Sequence, residues 1–542
     1  MSTDSSVPEH RTSATWLRLG LLSAIAAGLY VLLSLQYPLA ASLRDPRASW
    51  ASMVAPTALH GWLNVAIYLG VTLLYVAQVR LLRPSDGAGL PHSRWRIVAV
   101  VVAWLACSGA LLGSAPAGES HDIFDYIVRG RMMTEYGANP LSQVPSELPL
   151  STPYARYAAW YKNVDTYGPL WEAASAAVSV GVREAARGLG WWDEALPSCP
   201  RSAGSCRLLG AYVTGYRLLA ILLTGLSGWL IFRMVQGRRP RLAVTALAVW
   251  LLCPITVVGT ALGGHNDALM LILIALCMWL FQRERPFLAM MALVLAAHVK
   301  LTALIWLPAC ALWVLVRWGW KRARRIALAS VAAGLALSWL LYAPFGGWGS
   351  LPRMLHERSV IVANSWWRLA RYILISERGW SAPLAEQLTS LGPSVLFLVG
   401  AVLISASILG LLPRWRASGR VRLDPSDDIF WQAMLASSVL YLAVGSFWFQ
   451  SWYVLWAVAP AALLPNSAFT RAVLPWLALG ALVSNAASDF LGRTILSDAS
   501  PVQDILWPVV IIWAPAVAAG CALGAVGWWR RAARLRSDSA VA

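Results

Sequence analysis

One pattern constrains this chain more than any other: apolar runs of about twenty residues alternate with short arginine-rich patches. A helix of about 20 residues crosses the hydrocarbon core of a bilayer. The apolar runs therefore make the chain an integral membrane protein, all-helical within the lipid. Composition agrees where it matters: 58% of the 542 residues are hydrophobic and 13% are charged, about half the charged share usual in a soluble domain. The first apolar run, to about Leu35, is longer than a signal-peptide core and reads as a retained first span.

The net charge of +18 does not point to nucleic acid. The basic residues are dispersed between apolar runs instead of gathered on one polar face. They follow the bias that leaves Arg and Lys in cytoplasmic loops, and the 31 tryptophans suit the membrane–water interface. About fourteen spans are predicted, beginning near Trp16, Thr57, Ile97, Leu208, Leu242, Ala268, Phe287, Leu301, Ile326, Pro393, Phe430, Trp452, Arg471 and Ile505. Alternation then puts five basic clusters on one side: Arg80 to Arg96, Arg233 to Arg241, Arg317 to Arg325, Arg414 to Arg422 and Arg530 to Arg536. That side is cytoplasmic. The expected organisation is a single polytopic domain, 16–536, between cytoplasmic tails 1–15 and 537–542, in the plasma membrane. Outer segments 116–207 and 344–392 carry amphipathic helices and cap an extracytoplasmic site. Five cysteines lie in apolar runs. Cys199 and Cys206 share a polar outer loop, where a disulfide and two free thiols are both open.

The first outer segment begins Glu119-Ser-His-Asp-Ile-Phe-Asp-Tyr-Ile-Val-Arg-Gly-Arg131. Ser120 or Asp122 suits a helix cap. In a helix, Asp122, Asp125, Tyr126 and Arg129 fall on one face, and Gly137-Ala-Asn-Pro140 ends it. One carboxylate in that set can take the proton of an attacking sugar hydroxyl. An inverting transferase needs only one base, whereas a hydrolase also protonates its leaving oxygen. A phosphate leaves without protonation, so cations suffice to steady it. The bland alternative has Asp122 capping the helix and Asp125 pairing with Arg129 in solvent. Thr166-Tyr-Gly-Pro-Leu-Trp171 opens an amphipathic stretch expected to lie along the outer surface.

The remaining outer loops hold polar groups of the same kind. Gly263-Gly-His265-Asn266-Asp267 offers substrate contacts, or simply an N-cap for the next span. Lys300 lies in a tight apolar turn, where a lysine is costly unless paired or snorkelling. With Arg129 and Arg358 it forms a cation set for a lipid phosphate. Phe447-Trp-Phe-Gln450-Ser-Trp452-Tyr453-Val-Leu-Trp456 suits an interfacial belt, or stacking on a sugar or isoprenoid.

In order along the chain, Asp122-Ile-Phe-Asp-Tyr126 with Gly130-Arg131, Gly137-Ala-Asn-Pro140, Tyr167-Gly-Pro-Leu-Trp171, Gly264-His-Asn-Asp267, Lys300-Leu-Thr302 and Gln450 to Trp456 resemble the GT-C superfamily of multispanning glycosyltransferases. They are most similar to bacterial polyprenyl-phosphate-mannose-dependent mannosyltransferases. The resemblance implies Asp122 as catalytic base with Asp125 second, and Lys300 at the donor phosphate. Two features depart from that pattern: two spans precede the motif-bearing one, and Leu141 follows Asn-Pro where an aromatic is expected. The implied partners are a polyprenyl-phosphate-linked sugar, a glycan or glycolipid acceptor and the bilayer. Tyr126, His265, Asn266, Asp267, Gln450, Trp452 and Tyr453 are the candidate substrate contacts. No cofactor is expected; Asp122 and Asp125 could share a divalent cation, but no third ligand is obvious. The rival function is a transporter or flippase, whose ionisable groups belong near the bilayer midplane. Here they cluster at span ends, with Arg217 the main exception.

Overall fold

A computed structural model describes residues 9–44, 57–84, 94–116, 120–149, 157–190, 207–359, 361–411, 428–494 and 500–541. The architecture is helical, and no strand occurs among the described residues. In chain order the helices used below are α1 (Glu9–Gln36), α2 (Ala58–Leu81), α3 (Arg94–Leu111), α4 (Asp122–Tyr136), α5 (Pro169–Gly188) and α6 (Arg207–Arg238). They continue with α7 (Ala243–Leu251), α8 (Asp267–Gln282), α9 (Pro286–Ala297), α10 (Leu307–Tyr342), α11 (Leu351–Ser359) and α12 (Ala382–Ile408). The last are α13 (Ile429–Leu440), α14 (Leu455–Ala462), α15 (Leu474–Thr494) and α16 (Pro501–Val541).

Among the described residues, seven helices are long and apolar enough to cross a membrane, or eight if one pair bent by 54° counts as a span. The sequence estimate of about fourteen took every apolar run as a crossing. The structure divides several runs into pieces of a different kind. Asp267–Gln282, Pro286–Ala297 and Ile429–Gly445 are apolar but short. The segment Leu301–Phe345, by contrast, covers 45 residues. At 1.5 Å per residue it is about twice the thickness of a hydrocarbon core. It breaks at Gly319, where φ is 71° and ψ 163°, a conformation glycine adopts without penalty. Two runs were expected there, from Leu301 and from Ile326. Cys199 and Cys206 lie outside the described residues.

Leu328, Val331, Leu335 and Trp339 of α10, and Leu391, Val395, Leu398 and Val402 of α12, are exposed at helical spacing. Stripes of that size would be an aggregation hazard in water; facing lipid tails, they are simply solvated. α5 falls outside the seven. It buries Trp171, Glu172, Ser175 and Ser179 and exposes its other face, as an amphipathic surface helix does.

α4 is buried continuously from Asp122 to Met132. Its Gly130 lets α5 approach closely: a Cβ there would stand 2.7 Å from the Ser175 carbonyl oxygen. From α6, the Tyr216 hydroxyl donates to the Tyr126 carbonyl at 2.9 Å. Arg217, one residue on, is fully buried; its Nε donates to Leu262 O at 2.9 Å and its Nη1 to Leu112 O at 2.9 Å. This guanidinium joins the end of α3 to the turn before Gly263. Backbone carbonyls take its Nε and Nη1, while its Nη2 is buried without a hydrogen-bond partner. Gly168 packs on the turn after α9: its N–H donates to Val299 O at 3.0 Å, and an added Cβ would stand 2.0 Å from His298 O. Three side-chain bonds dock the segment after α4 to the one around α11: Asn139 Nδ2 to Phe345 O at 2.8 Å, Arg353 Nη1 to Ser142 O at 3.0 Å, and Asn163 Nδ2 to Glu357 Oε2 at 2.6 Å.

Candidate active site

Stretches far apart in the chain meet at the N-terminal end of α4 around a cleft of about 550 Å³ of empty space. Asp122, Asp125 and Arg129 line it from α4, and Trp160, Asn163, Asp165 and Tyr167 from the loop that follows. Lys300, Glu357, Arg358, Trp448 and Tyr453 complete the wall.

The two aspartates of α4 have unlike surroundings. Asp125 is locked: both its oxygens accept backbone N–H groups, from Trp160 at 2.9 Å and Ala159 at 3.1 Å. Burial pushes its carboxyl up, to about 8, against the downward pull of Arg129 and those two donors. Asp122 is bound more lightly. Its Oδ2 accepts from the Tyr167 hydroxyl at 3.1 Å, and His265 Nδ1 stands 3.9 Å away. Burial raises its pKa too, partly offset by Ser120, Lys300 and Tyr167. Ser120 Oγ accepts the Asp122 N–H at 3.0 Å, His121 takes the N-cap position without a side-chain capping bond, and the Asp122 carboxylate lines the cleft.

Arg129 meets a different acid from the one expected. Its Nε pairs with Asp165 at 3.0 Å, both side chains being buried, and its Nη2 donates to the carbonyls of Asn163 at 3.0 Å and Trp160 at 3.2 Å. Its Nη1 is buried with no hydrogen-bond partner. Behind Asp165 lies Glu172, fully buried, neither of whose oxygens receives a donor. Burial first, and Asp165 second, drive its pKa well above the ordinary carboxylate value. A carboxyl facing another carboxylate without outside donors keeps its own proton.

Lys300 does not snorkel. It is 1% exposed, with its Nζ 2.9 Å from Asp267 Oδ2 and 4.7 Å from the Tyr453 ring centroid. Trp456 Nε1 donates to Asp267 Oδ1 at 2.6 Å. Asp267 is thus an ion-pair partner and does not serve as a cap; Asn266 takes the N-cap position without a side-chain bond. His265 stacks on Trp452, ring centroids 3.8 Å apart. Burial and then Lys300 hold its imidazole well below its usual pKa, so it is neutral. Neither ring nitrogen of His265 and neither amide atom of Asn266 has a protein partner, though all are buried.

Tyr126 packs its ring edge-on to Tyr167 and Trp171 behind the cleft. Arg358 is half-buried at the wall. Gln450 is not among the residues lining the cleft; its carbonyl accepts the Tyr453 N–H at 3.1 Å. Trp160, Asp165, Tyr167, Glu172, Glu357 and Trp448 were not among the site candidates. Tyr167 lay in a recognised motif, and Glu172 follows that motif directly. The others carry no signal above ordinary loop composition. Among the described residues, no group of three or more His, Cys, Asp or Glu side chains is arranged to hold a metal ion.

Residues 195–444 match the model of glycosyltransferase family 87. The chain is 26% identical over 260 residues to "Alpha-(1->6)-mannopyranosyltransferase A" of Corynebacterium glutamicum, a match covering 45% of this chain and 45% of that protein. The chain thus spans less than half the length of that curated relative. Residues 17–317, more than half of the chain, match the model described as "Alpha-(1->6)-mannopyranosyltransferase, N-terminal domain", and the chain belongs to that family of membrane glycosyltransferases.

Proposed function

We propose that this protein transfers mannose from a polyprenyl-phosphate donor to a hydroxyl of a glycan or glycolipid acceptor, by an inverting displacement at the extracytoplasmic face of the plasma membrane. One observation carries it: Asp122, buried and lightly bound, shares a cleft with Lys300, Arg358 and Arg129. A base and cations in one desolvated cavity suit a step in which negative charge moves from one oxygen to another.

In that step the acceptor oxygen bonds to the anomeric carbon as the bond from that carbon to the phosphate oxygen breaks. The acceptor proton passes to Asp122, and the electron pair leaves with the polyprenyl phosphate. Asp122 serves as general base because its carboxylate is held by one phenol and can exchange that partner for a substrate hydroxyl. Asp125 positions the wall by holding the Ala159 and Trp160 N–H groups. Arg358 and Lys300 supply positive charge for the phosphate. Arg129 braces the loop and has Nη1 left to donate. His265, neutral, stacks on Trp452 beside Asp122, and neither it nor Asn266 lines the cleft. No step in this scheme is routed through a metal.

Purified full-length protein, supplied with polyprenyl-phosphate mannose and methyl α-1,6-mannobioside, is expected to yield a trisaccharide. Failure to transfer from any polyprenyl-phosphate sugar to any mannoside overturns the proposal. Ser146→Cys, at an exposed position in the segment after α4, is expected to react with an impermeant maleimide added outside intact cells. Labelling from the cytoplasm alone would overturn the assigned side.

A further inference from the structure

Trp160 and Trp448 stand edge to face at the cleft wall, ring centroids 5.4 Å apart and planes inclined by 68°. They come from stretches almost three hundred residues apart, and each is half-buried. Both backbones are anchored. The Trp160 N–H donates to Asp125 and its carbonyl accepts from Arg129. Trp448 lies in a short bridge with Ala363, where the Ala363 N–H donates to Phe447 O at 3.2 Å and the Phe449 N–H to Ala363 O at 3.0 Å. Ser446 Oγ fixes the Trp448 carbonyl at 2.8 Å. Such a pair is ordered before any ligand arrives, which lowers the cost of binding.

The surroundings indicate what the rings face. Asn163, Glu357 and Asp125 line the same cleft. An isoprenoid chain asks for an apolar wall throughout. A pyranose has an apolar C–H face and a rim of hydroxyls, and it suits aromatic rings set among a few hydrogen-bonding groups. We infer that Trp160 and Trp448 form the acceptor subsite, a platform on which the pyranose ring of the acceptor stacks while Asn163 Oδ1 and Glu357 Oε1, the oxygens outside the Asn163–Glu357 bond, take its hydroxyls. This rests on the proposed transferase reading and adds to it the side of the cleft the acceptor occupies. The donor phosphate then belongs to the Lys300 and Arg358 side.

The test uses full-length protein in nanodiscs, with methyl α-1,6-mannobioside as acceptor and polyprenyl-phosphate mannose as donor. Trp160→Ala and Trp448→Ala are each expected to raise the acceptor KM about tenfold, the loss that ~1.4 kcal/mol produces, with donor KM unchanged. Trp160→Phe and Trp448→Phe, which keep a ring, are expected to restore most of the affinity. A rise in donor KM alone would mean that the rings hold the isoprenoid, and unchanged KM for both would mean they hold neither; either overturns the inference. Titration calorimetry of the mannobioside without donor separates the two proposals. Tryptophan-dependent binding in a protein that transfers nothing would keep the subsite and sink the transferase reading.

Discussion

Ionisable groups gather at both ends of the helix bundle and meet opposite fates, as α8 illustrates. It starts at the fully buried Asp267, which pairs with the cleft-lining Lys300, and Glu284 follows its other end. At that far end acids and arginines cancel in partial contact with solvent. Glu284 pairs with Arg317, and Asp428 takes Arg239 at 2.6 Å and Arg238 at 3.5 Å. Glu284 is 57% exposed and Arg239 50%, and pairs of that kind add little stability. At the cleft end Asp122, Asp125, Asp165, Glu172 and Asp267 are all buried. Asp165 and Glu172 face each other, Asp125 is held by a backbone clamp, Asp267 holds a lysine, and Asp122 is held by the Tyr167 phenol. Charge alone does not distinguish the ends; burial without full pairing does, and it is the usual mark of a working site.

The contrast can be broken at either end. The largest effect is expected from Asp267→Ala, which strands Lys300 in a buried position. Removing one partner of a buried pair costs about 3–5 kcal/mol, so the thermal unfolding midpoint in detergent should drop by many degrees; an unmoved midpoint would mean the pair is not structural. Next comes Glu172. Glu172→Gln keeps a neutral donor toward Asp165 and should preserve activity, while Glu172→Leu should lose much of it. Equal losses in the two variants would show that the proton on Glu172 is not what holds Asp165 and Arg129.

A smaller effect concerns pH. Asp122 must be ionised to accept a proton, and burial raises its pKa. Activity should therefore be present above that pKa and vanish as pH falls through it, with the acid limb of kcat/KM above the ordinary carboxylate value of about 4. The Lys300 charge lowers the Asp122 pKa, so Lys300→Met should move the limb further up. A downward shift would contradict that coupling. The smallest effect belongs to the far end, where Glu284→Gln should leave transfer unchanged and the unfolding midpoint nearly so.

Local periodicity made part of this legible. The face shared by Asp122, Asp125, Tyr126 and Arg129 follows from helical spacing, and α4 runs as expected from Asp122 to Tyr136. The surface position of α5 follows from its amphipathic pattern. Partnerships across the chain were not legible. Nothing local says that Asp267 takes Lys300, 33 residues on, or that Arg129 reaches Asp165 and leaves Asp125 to backbone donors. Trp160 and Trp448 look like ordinary interfacial tryptophans until the fold brings them edge to face. The seven or eight long apolar helices among the described residues, against about fourteen apolar runs, have a related cause: hydropathy registers each run, but not that Pro286–Ala297 is short.

The most direct test is single-turnover mannose transfer by Asp122→Asn, with donor bound at saturation and folding checked by the unfolding midpoint. Loss of a general base costs about 10²–10⁴-fold in rate, and a loss in that range is predicted, with donor affinity and folding retained. Transfer at the wild-type rate by the folded variant would contradict Asp122 as the base.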